Sequence, residues 1–223
     1  MWHSAAKGTL FLGALATAQA AEASLSVGAT CATEYAWKGI RYSDGPTFQS
    51  YVELGFVGLY TDAYVSNVDE NLTGANAEYG LSLGYRGEAG EISYDIGIAC
   101  YIYDEAFPDC PVEDSAESYV SATLAATDTL YLTVKAAFAP EYDQTNLSMR
   151  PDFSAAIEGL SIGAIVGRVR SNYRDWTCWS LDTAYALSDK LSLGLAYHDT
   201  NHGAALGLAN AAVCAVASEF PAV

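Results

Sequence analysis

Residues 75–86 alternate in polarity almost without exception. Ala77, Tyr79, Leu81, Leu83 and Tyr85 share one parity, while Asn76, Glu78, Gly80, Ser82, Gly84 and Arg86 share the other. A period of two places successive side chains on opposite faces of a β-strand. The pattern returns at 91–103, where Ile92, Tyr94, Ile96, Ile98 and Ile102 oppose Glu91, Ser93, Asp95 and Gly97. It returns again at 129–139 and at 190–198. Looser alternation predicts strands at 25–37, 47–55, 59–67, 117–126, 152–158, 160–168, 176–187 and 209–220. The total is about twelve strands, an even number, as transmembrane barrels have.

The connections alternate as well. Segments 56–58, 87–90, 127–128, 159 and 188–189 are short and polar or glycine-bearing, as hairpin turns are. Segments 38–46, 68–74, 104–116, 140–151, 169–175 and 199–208 are longer and carry Pro, Asn, Asp and Gly. Tight turns at one rim and long loops at the other are the rhythm of an antiparallel up-and-down β-barrel in a bacterial outer membrane. Strands of about 9–11 residues suit a tilted membrane crossing. The competing fold is a soluble β-sandwich, whose strands alternate too.

Composition separates the two. The chain is 51% hydrophobic yet carries a formal net charge of −17 over 223 residues. A barrel with apolar residues toward lipid and acids toward a wet lumen accommodates both. The acidity argues against nucleic-acid binding, which needs Lys and Arg for phosphates. No cofactor motif is present, and none is expected.

The N-terminus reads as an export signal at residues 1–20. Lys7 is the basic element, 8–18 the apolar stretch, and Ala18-Gln19-Ala20 the cleavage motif. Ala21-Glu22-Ala23 repeats that motif, so cleavage extends possible cut points to residue 23, and residues 21–223 form the expected barrel. An uncleaved anchor is the alternative, but the apolar stretch falls short of the ~20 residues a spanning helix needs.

The segment Tyr35-Ala36-Trp37-Lys38-Gly39-Ile40, followed by Asp44, Pro46 and Gln49, resembles the TorF family of porin-type outer-membrane proteins. The resemblance continues through Gly58-Leu59-Tyr60, Ser66-Asn67-Val68, Ser93-Tyr94-Asp95-Ile96-Gly97 and Tyr101-Ile102-Tyr103. Later echoes are Ala139-Pro140-Glu141-Tyr142, Tyr173-Arg174-Asp175-Trp176 and residues 193–200. Lys38 stands where the family usually has Arg, the loop at 104–116 departs from its short turn, and Pro221-Ala222-Val223 follow the terminal aromatic Phe220. The resemblance implies an outer-membrane channel for small hydrophilic solutes, in contact with outer-membrane lipids.

The polar faces supply the candidate pore-lining residues. They are Glu34, Lys38, Glu53, Asp62, Glu78, Arg86, Asp95, Glu117, Lys135 and Asp182, with Asp152, Glu158 and Lys190 beside them. Carboxylates along a pore favour cations. The opposing reading is a lumen packed shut by paired charges and tyrosines. Tyr51, Tyr60, Tyr64, Tyr101, Tyr119 and Tyr131 are the inward candidates among 16 tyrosines. Trp37, Tyr85, Trp179, Tyr185 and Tyr197 fit an aromatic girdle. Lys38 and Arg41, beside Glu34 and Asp44, could form a selectivity constriction or simply hold the first outer loop by ion pairs.

Five cysteines enter an oxidising compartment. Cys100 with Cys110, and Cys31 with Cys214 across the barrel seam, are the candidate disulfides; small apolar cysteines facing lipid are the alternative. An enzyme would need a nucleophile such as Ser171 or Cys178 beside His198 or His202, oriented by Asp175 or Asp199. No spacing fixes such an arrangement, and no G-x-S-x-G elbow occurs. The sequence therefore predicts a passive, weakly cation-preferring channel rather than an enzyme. A non-conducting barrel with structural or ligand-binding outer loops is the runner-up.

Overall fold

The computed structural model describes residues 23–104, 114–201 and 211–222, the last of these as backbone only. The leader at 1–20, Cys110, His202 and the side chain of Cys214 lie outside the described residues.

Twelve antiparallel strands close into one barrel. They are β1 (Ala23–Ala32), β4 (Thr47–Phe56), β5 (Leu59–Asn67), β6 (Ala77–Ala89), β7 (Ile92–Tyr103), β8 (Ser115–Ala125), β9 (Leu130–Ala139), β10 (Gln144–Ser154), β11 (Leu160–Arg170), β12 (Trp176–Ser188), β13 (Leu191–Thr200) and β14 (Ala211–Ala222). Each pairs with its sequence neighbour, and β14 returns to β1 with Val27 opposite Phe220. Closure leaves no unpaired edge, the condition for spanning a bilayer with strands. Two further short strands, β2 (Ala36–Trp37) and β3 (Ile40–Arg41), form a separate ribbon between β1 and β4.

The barrel is inside out. Leu81 and Leu83 are 53% and 56% exposed, while Glu78, on the opposite face of the same strand, is 1% exposed. Glu53, Ser66, Glu117, Asn146 and Asp182 are buried as well. A soluble sandwich would bury the leucines. Here the apolar band faces outward, which suits hydrocarbon, and the polar faces meet in the middle. The inward tyrosines fit because glycines face them. Tyr51, Tyr60 and Tyr119 lie opposite Gly28, Gly84 and Gly97 on the adjacent strands. A Cβ on Gly84 would sit 2.5 Å from the Tyr60 ring, closer than atoms can approach.

Two predicted strands need correction. The first ends at Ala32 rather than Trp37, and residues 33–46 turn away from the wall. Trp37 therefore belongs to no girdle; it packs, half-buried, against a tyrosine cluster inside the barrel. The second is β10, expected at 152–158 and found at Gln144–Ser154. The connection before it is a single 3-10 turn, Pro140–Tyr142, not a long loop. Pro151 explains the misreading, since proline lacks the N–H that a ladder needs and is confined to edges and gaps. The structure accommodates it with a gap. Pairing to β11 stops at Met149 opposite Val166 and resumes, in the same register, at Asp152 opposite Gly163.

One rim carries turns such as Val57-Gly58 and the connection at 90–91; the other carries the stretches at 33–46 and 68–76. The latter is called the long-loop rim below, although its connections at 140–143 and 171–175 are short.

Candidate functional site

The stretch at 33–46 folds into the barrel and crosses it. Its core is the β2–β3 ribbon, with Trp37 opposite Ile40. Lys38 and Gly39 form the tip, with φ of 52° and 78°. Positive φ at both central residues is the two-residue hairpin turn that matches strand twist, and glycine is favoured at its second position. Glycine is needed there for space as well. A Cβ on Gly39 would lie 2.9 Å from the Cβ atoms of Cys178 on β12 and Thr200 on β13.

The tip is fastened at several points. The indole Nε1 of Trp176 donates to the Lys38 carbonyl at 2.9 Å. Ile40 packs against buried Val169, Trp176 and Cys178. The Lys38 ammonium reaches Glu117 on β8 at 2.5 Å, and both side chains are largely shielded from solvent. It also lies 5.3 Å from the Trp37 ring. A chain leaving β1 thus touches β12 and β13 on one side and β8 on another, so it forms a strap over the lumen.

The base of the strap is equally held. Tyr35 is 1% exposed and donates its hydroxyl to Glu78 at 3.4 Å, while Tyr103 donates to the other oxygen at 2.7 Å. Burial, with the Glu78 charge beside it, pushes the Tyr35 phenol well up, so it stays a neutral donor. Tyr35 and Tyr42 rings stand 5.0 Å apart. The Tyr35 amide donates to the Ser43 hydroxyl at 2.7 Å, and the Asp69 amide to the Tyr42 carbonyl at 2.8 Å. Arg41 pairs with Glu34 at 3.2 Å and Asp44 at 3.1 Å. Burial raises the Glu34 carboxyl above its usual range; Arg41 opposes the rise and Asp44 adds to it.

A second network runs around the wall toward the short-turn rim. Arg86 on β6 grips Glu53 on β4 through two hydrogen bonds of 2.8 Å. Its Nε lies 3.4 Å from Asp95 on β7, and its guanidinium stacks 3.7 Å over Tyr60. Tyr60 donates to Asp95 at 2.8 Å and shares a hydrogen bond with the Tyr119 hydroxyl. Lys135 on β9 sits 4.3 Å over the Tyr119 ring. Asp62 lies opposite Glu53 across the β4–β5 ladder. On the other side of the barrel Arg150 grips Asp182 through two bonds of 2.8 Å and Asp152 through bonds of 2.9 Å.

The ten predicted lumen residues therefore all face inward or belong to the strap, in three groups. Glu34, Lys38, Glu78 and Glu117 seat the strap. Glu53, Asp62, Arg86, Asp95 and Lys135 lie along the β4–β9 wall. Asp182 joins an arginine that sequence reasoning missed, because Arg150 fell in the expected loop. The available signal was Asn146, Ser148, Arg150 and Asp152 alternating with Leu147, Met149, Pro151 and Phe153. Glu158 and Lys190 are corrected: both sit in exposed turns at the short-turn rim, off the polar inner face. Tyr85, Trp179, Tyr185 and Tyr197 do face outward.

Cys31, Cys100 and Cys178 are free thiols, and Cys31 lies opposite Val216 in the seam. Cys178 donates to the Gly167 carbonyl, and Ser171 to the Arg174 carbonyl. His198 points inward opposite Ser180, with no partner at Nε2. No nucleophile is joined to a base among these described groups. Nor does any cluster among the described residues have the arrangement of a metal site.

Solved porin structures share this fold. The KdgM porin aligns with a TM-score of 0.64 at 10% identity, covering 87% of this chain and 98% of that one. The NanC porin aligns with a TM-score of 0.56 at 8% identity, covering 87% and 97%. A second KdgM porin structure, in complex with disordered oligogalacturonate, aligns at 0.63 with 10% identity over 87% and 98%. No curated protein matches the chain in sequence. Residues 16–220 match a family described only as a bacterial protein of unknown function, Gcw_chp, and the chain belongs to that family.

Proposed function

We propose that the protein is a passive channel of the bacterial outer membrane for small hydrophilic solutes, weakly cation-preferring, with its first long loop as the constriction. The observation that carries this reading is the closed, inside-out barrel whose polar lumen is crossed by the Lys38–Gly39 strap. The fold likeness to porins and the resemblance of Tyr35–Ile40 and the later segments to the TorF family support it. The export signal at 1–20, an expectation from sequence, supplies the route to the membrane.

The charge balance argues for cations or neutral solutes. Glu53 and Asp95 share Arg86, and Asp152 and Asp182 share Arg150. Glu78 is held by tyrosine hydroxyls. Carboxylates thus exceed cations along the lumen, which favours positive charge there. An acidic sugar such as the oligogalacturonate of the KdgM complex would meet repulsion here.

A second reading has its own observation. The strap and the cluster of Tyr35, Val68, Ala75 and Tyr103 fill part of the lumen, so the barrel could be closed at rest and act through its loops. Single-channel recording in a planar bilayer under a salt gradient decides between them. Discrete steps with a reversal potential toward the cation side support the channel. A fully inserted, silent barrel overturns it in favour of the second reading.

A further inference from the structure

Of the ten lysines and arginines in the chain, two stand close together on one outer face. Arg168 and Arg170 are carried by β11 at the long-loop rim and line one groove. The parity of β11 fixes their direction. Gly167 and Val169 are buried toward the lumen, so Arg168 and Arg170 project from the outer face. Thr145 lies opposite Arg170 and Leu147 opposite Arg168 on β10.

The surface between β8 and β11 is concave at this level. A groove of about 690 Å³ is walled by outward residues that include Val120, Phe138, Leu147, Arg168 and Arg170. Its β9 and β10 side is apolar: Phe138 is 40% and Leu147 58% exposed. Its β11 side is cationic. Arg168 is partly engaged, with Asp175 at 3.0 Å and Thr177 at 3.2 Å. Arg170 is exposed and has no partner among the described residues. Trp179 faces outward beside Val166, one step nearer the barrel centre than Arg168. Indole rings favour the headgroup boundary of a bilayer. The arginines therefore stand at headgroup depth, with outward Val166 and Trp179 one step nearer the barrel centre and Leu147 and Phe138 beside them.

We propose that this groove docks an anionic lipid of the outer leaflet. Its phosphate would be taken by Arg170 and Arg168, and its acyl chains would lie on Phe138, Val120 and Leu147. Guanidinium forks match phosphate oxygens in geometry and charge, and basic pockets beside membrane spans hold acidic headgroups. The groove's charge is opposite to that of the chain, whose net value is −17, so attraction at this place is local. This inference rests on the membrane placement proposed above.

Native mass spectrometry of the detergent-released protein tests it. The probes are a diphosphorylated glucosamine-based lipid, the same lipid dephosphorylated, phosphatidylcholine, and inorganic phosphate as competitor. Wild type should retain the diphosphorylated lipid about tenfold better than its dephosphorylated form, the scale of one or two charge-assisted bonds. Arg168→Gln with Arg170→Gln should abolish that preference, and Lys190→Gln at the opposite rim should leave it intact. Arg170→Gln alone, which removes no contact within the barrel, should lower it if the double variant does not fold. Equal retention of all lipids, unchanged preference in Arg170→Gln, displacement by inorganic phosphate alone, or occupation of the face by a second copy of the chain would each overturn the proposal. A wild-type chain that needs no detergent would instead remove the membrane placement on which it rests.

Discussion

The strap and the Arg86 network use the same chemistry and do different work. Arg86 joins β4, β6 and β7, strands that are near neighbours in the wall. Its bonds run around the barrel and stiffen what the ladders already hold. Lys38 leaves the wall altogether and meets Glu117 on β8 while its own carbonyl is held from β12. That connection spans the lumen and adds little to closure; in the proposed channel it would narrow the passage. An ion pair along the wall is a brace; the same pair across the cavity, in the proposed channel, is a constriction.

Freeing the strap should give the largest effect. Lys38→Ala, Glu117→Gln and Trp176→Phe together remove both charges of the ion pair and the indole bond to the tip. Single-channel conductance should rise several-fold, with little change in thermal unfolding, because no ladder bond is lost and no charge of the pair is left stranded. Unchanged conductance would mean that the strap does not limit flow and that the two regions do not differ as argued.

Cutting the brace should do the reverse. Arg86→Ala leaves Glu53 and Asp95 facing each other without their shared cation. Removing one partner of a shielded pair strands the other, here at a cost of roughly 2–3 kcal/mol after allowance for a wet lumen. Unfolding in urea or heat should shift by that amount while conductance stays near wild type. A large conductance change with intact stability would place Arg86 in the constriction instead.

Selectivity should follow charge in both regions. Glu78→Gln with Asp95→Asn removes one carboxylate beside the strap and one from the brace; each amide keeps one acceptor oxygen for a tyrosine donor, and at position 78 the second tyrosine hydroxyl turns to accept from the new amide N–H. The reversal potential should move toward zero cation preference. If it does not move, these positions do not set the field that ions meet.

How far each region could be read from sequence follows from the same distinction. Glu53, Arg86 and Asp95 lie on alternating strands, so their parity alone sent them to the inner face. Period two reports which face a residue occupies, and a brace needs nothing more. It says nothing about a loop. The ion-pair candidates Lys38, Arg41, Glu34 and Asp44 were visible, but no local rule says that Lys38 would reach β8 or that Trp37 would turn inward. That outcome depends on Gly39 fitting between Cys178 and Thr200 and on Trp176 aiming at a carbonyl far away in sequence. Arg150 was lost for another reason. Pro151 hid a strand whose alternation is otherwise clear, and the ladder gap that admits proline exists only once β11 is alongside.

The smallest effect should be one of pH on the strap. Burial raises the Glu34 carboxyl above its ordinary range despite Arg41. A carboxyl with a raised pKa holds its proton more tightly in the seated strap than in a released, solvated one. Its contribution to seating is therefore present below the ordinary carboxylate pKa and lost as pH rises through the raised value. Glu34→Gln imitates the protonated form at every pH. At neutral pH that variant should pass less current than wild type, and the two should converge as the solution is acidified through the carboxylate range. The comparison must be between the two proteins, because it isolates the one position that differs. A variant that passes more current than wild type at neutral pH would show that the Glu34–Arg41 pair, rather than the burial of the charge, dominates at the base of the strap.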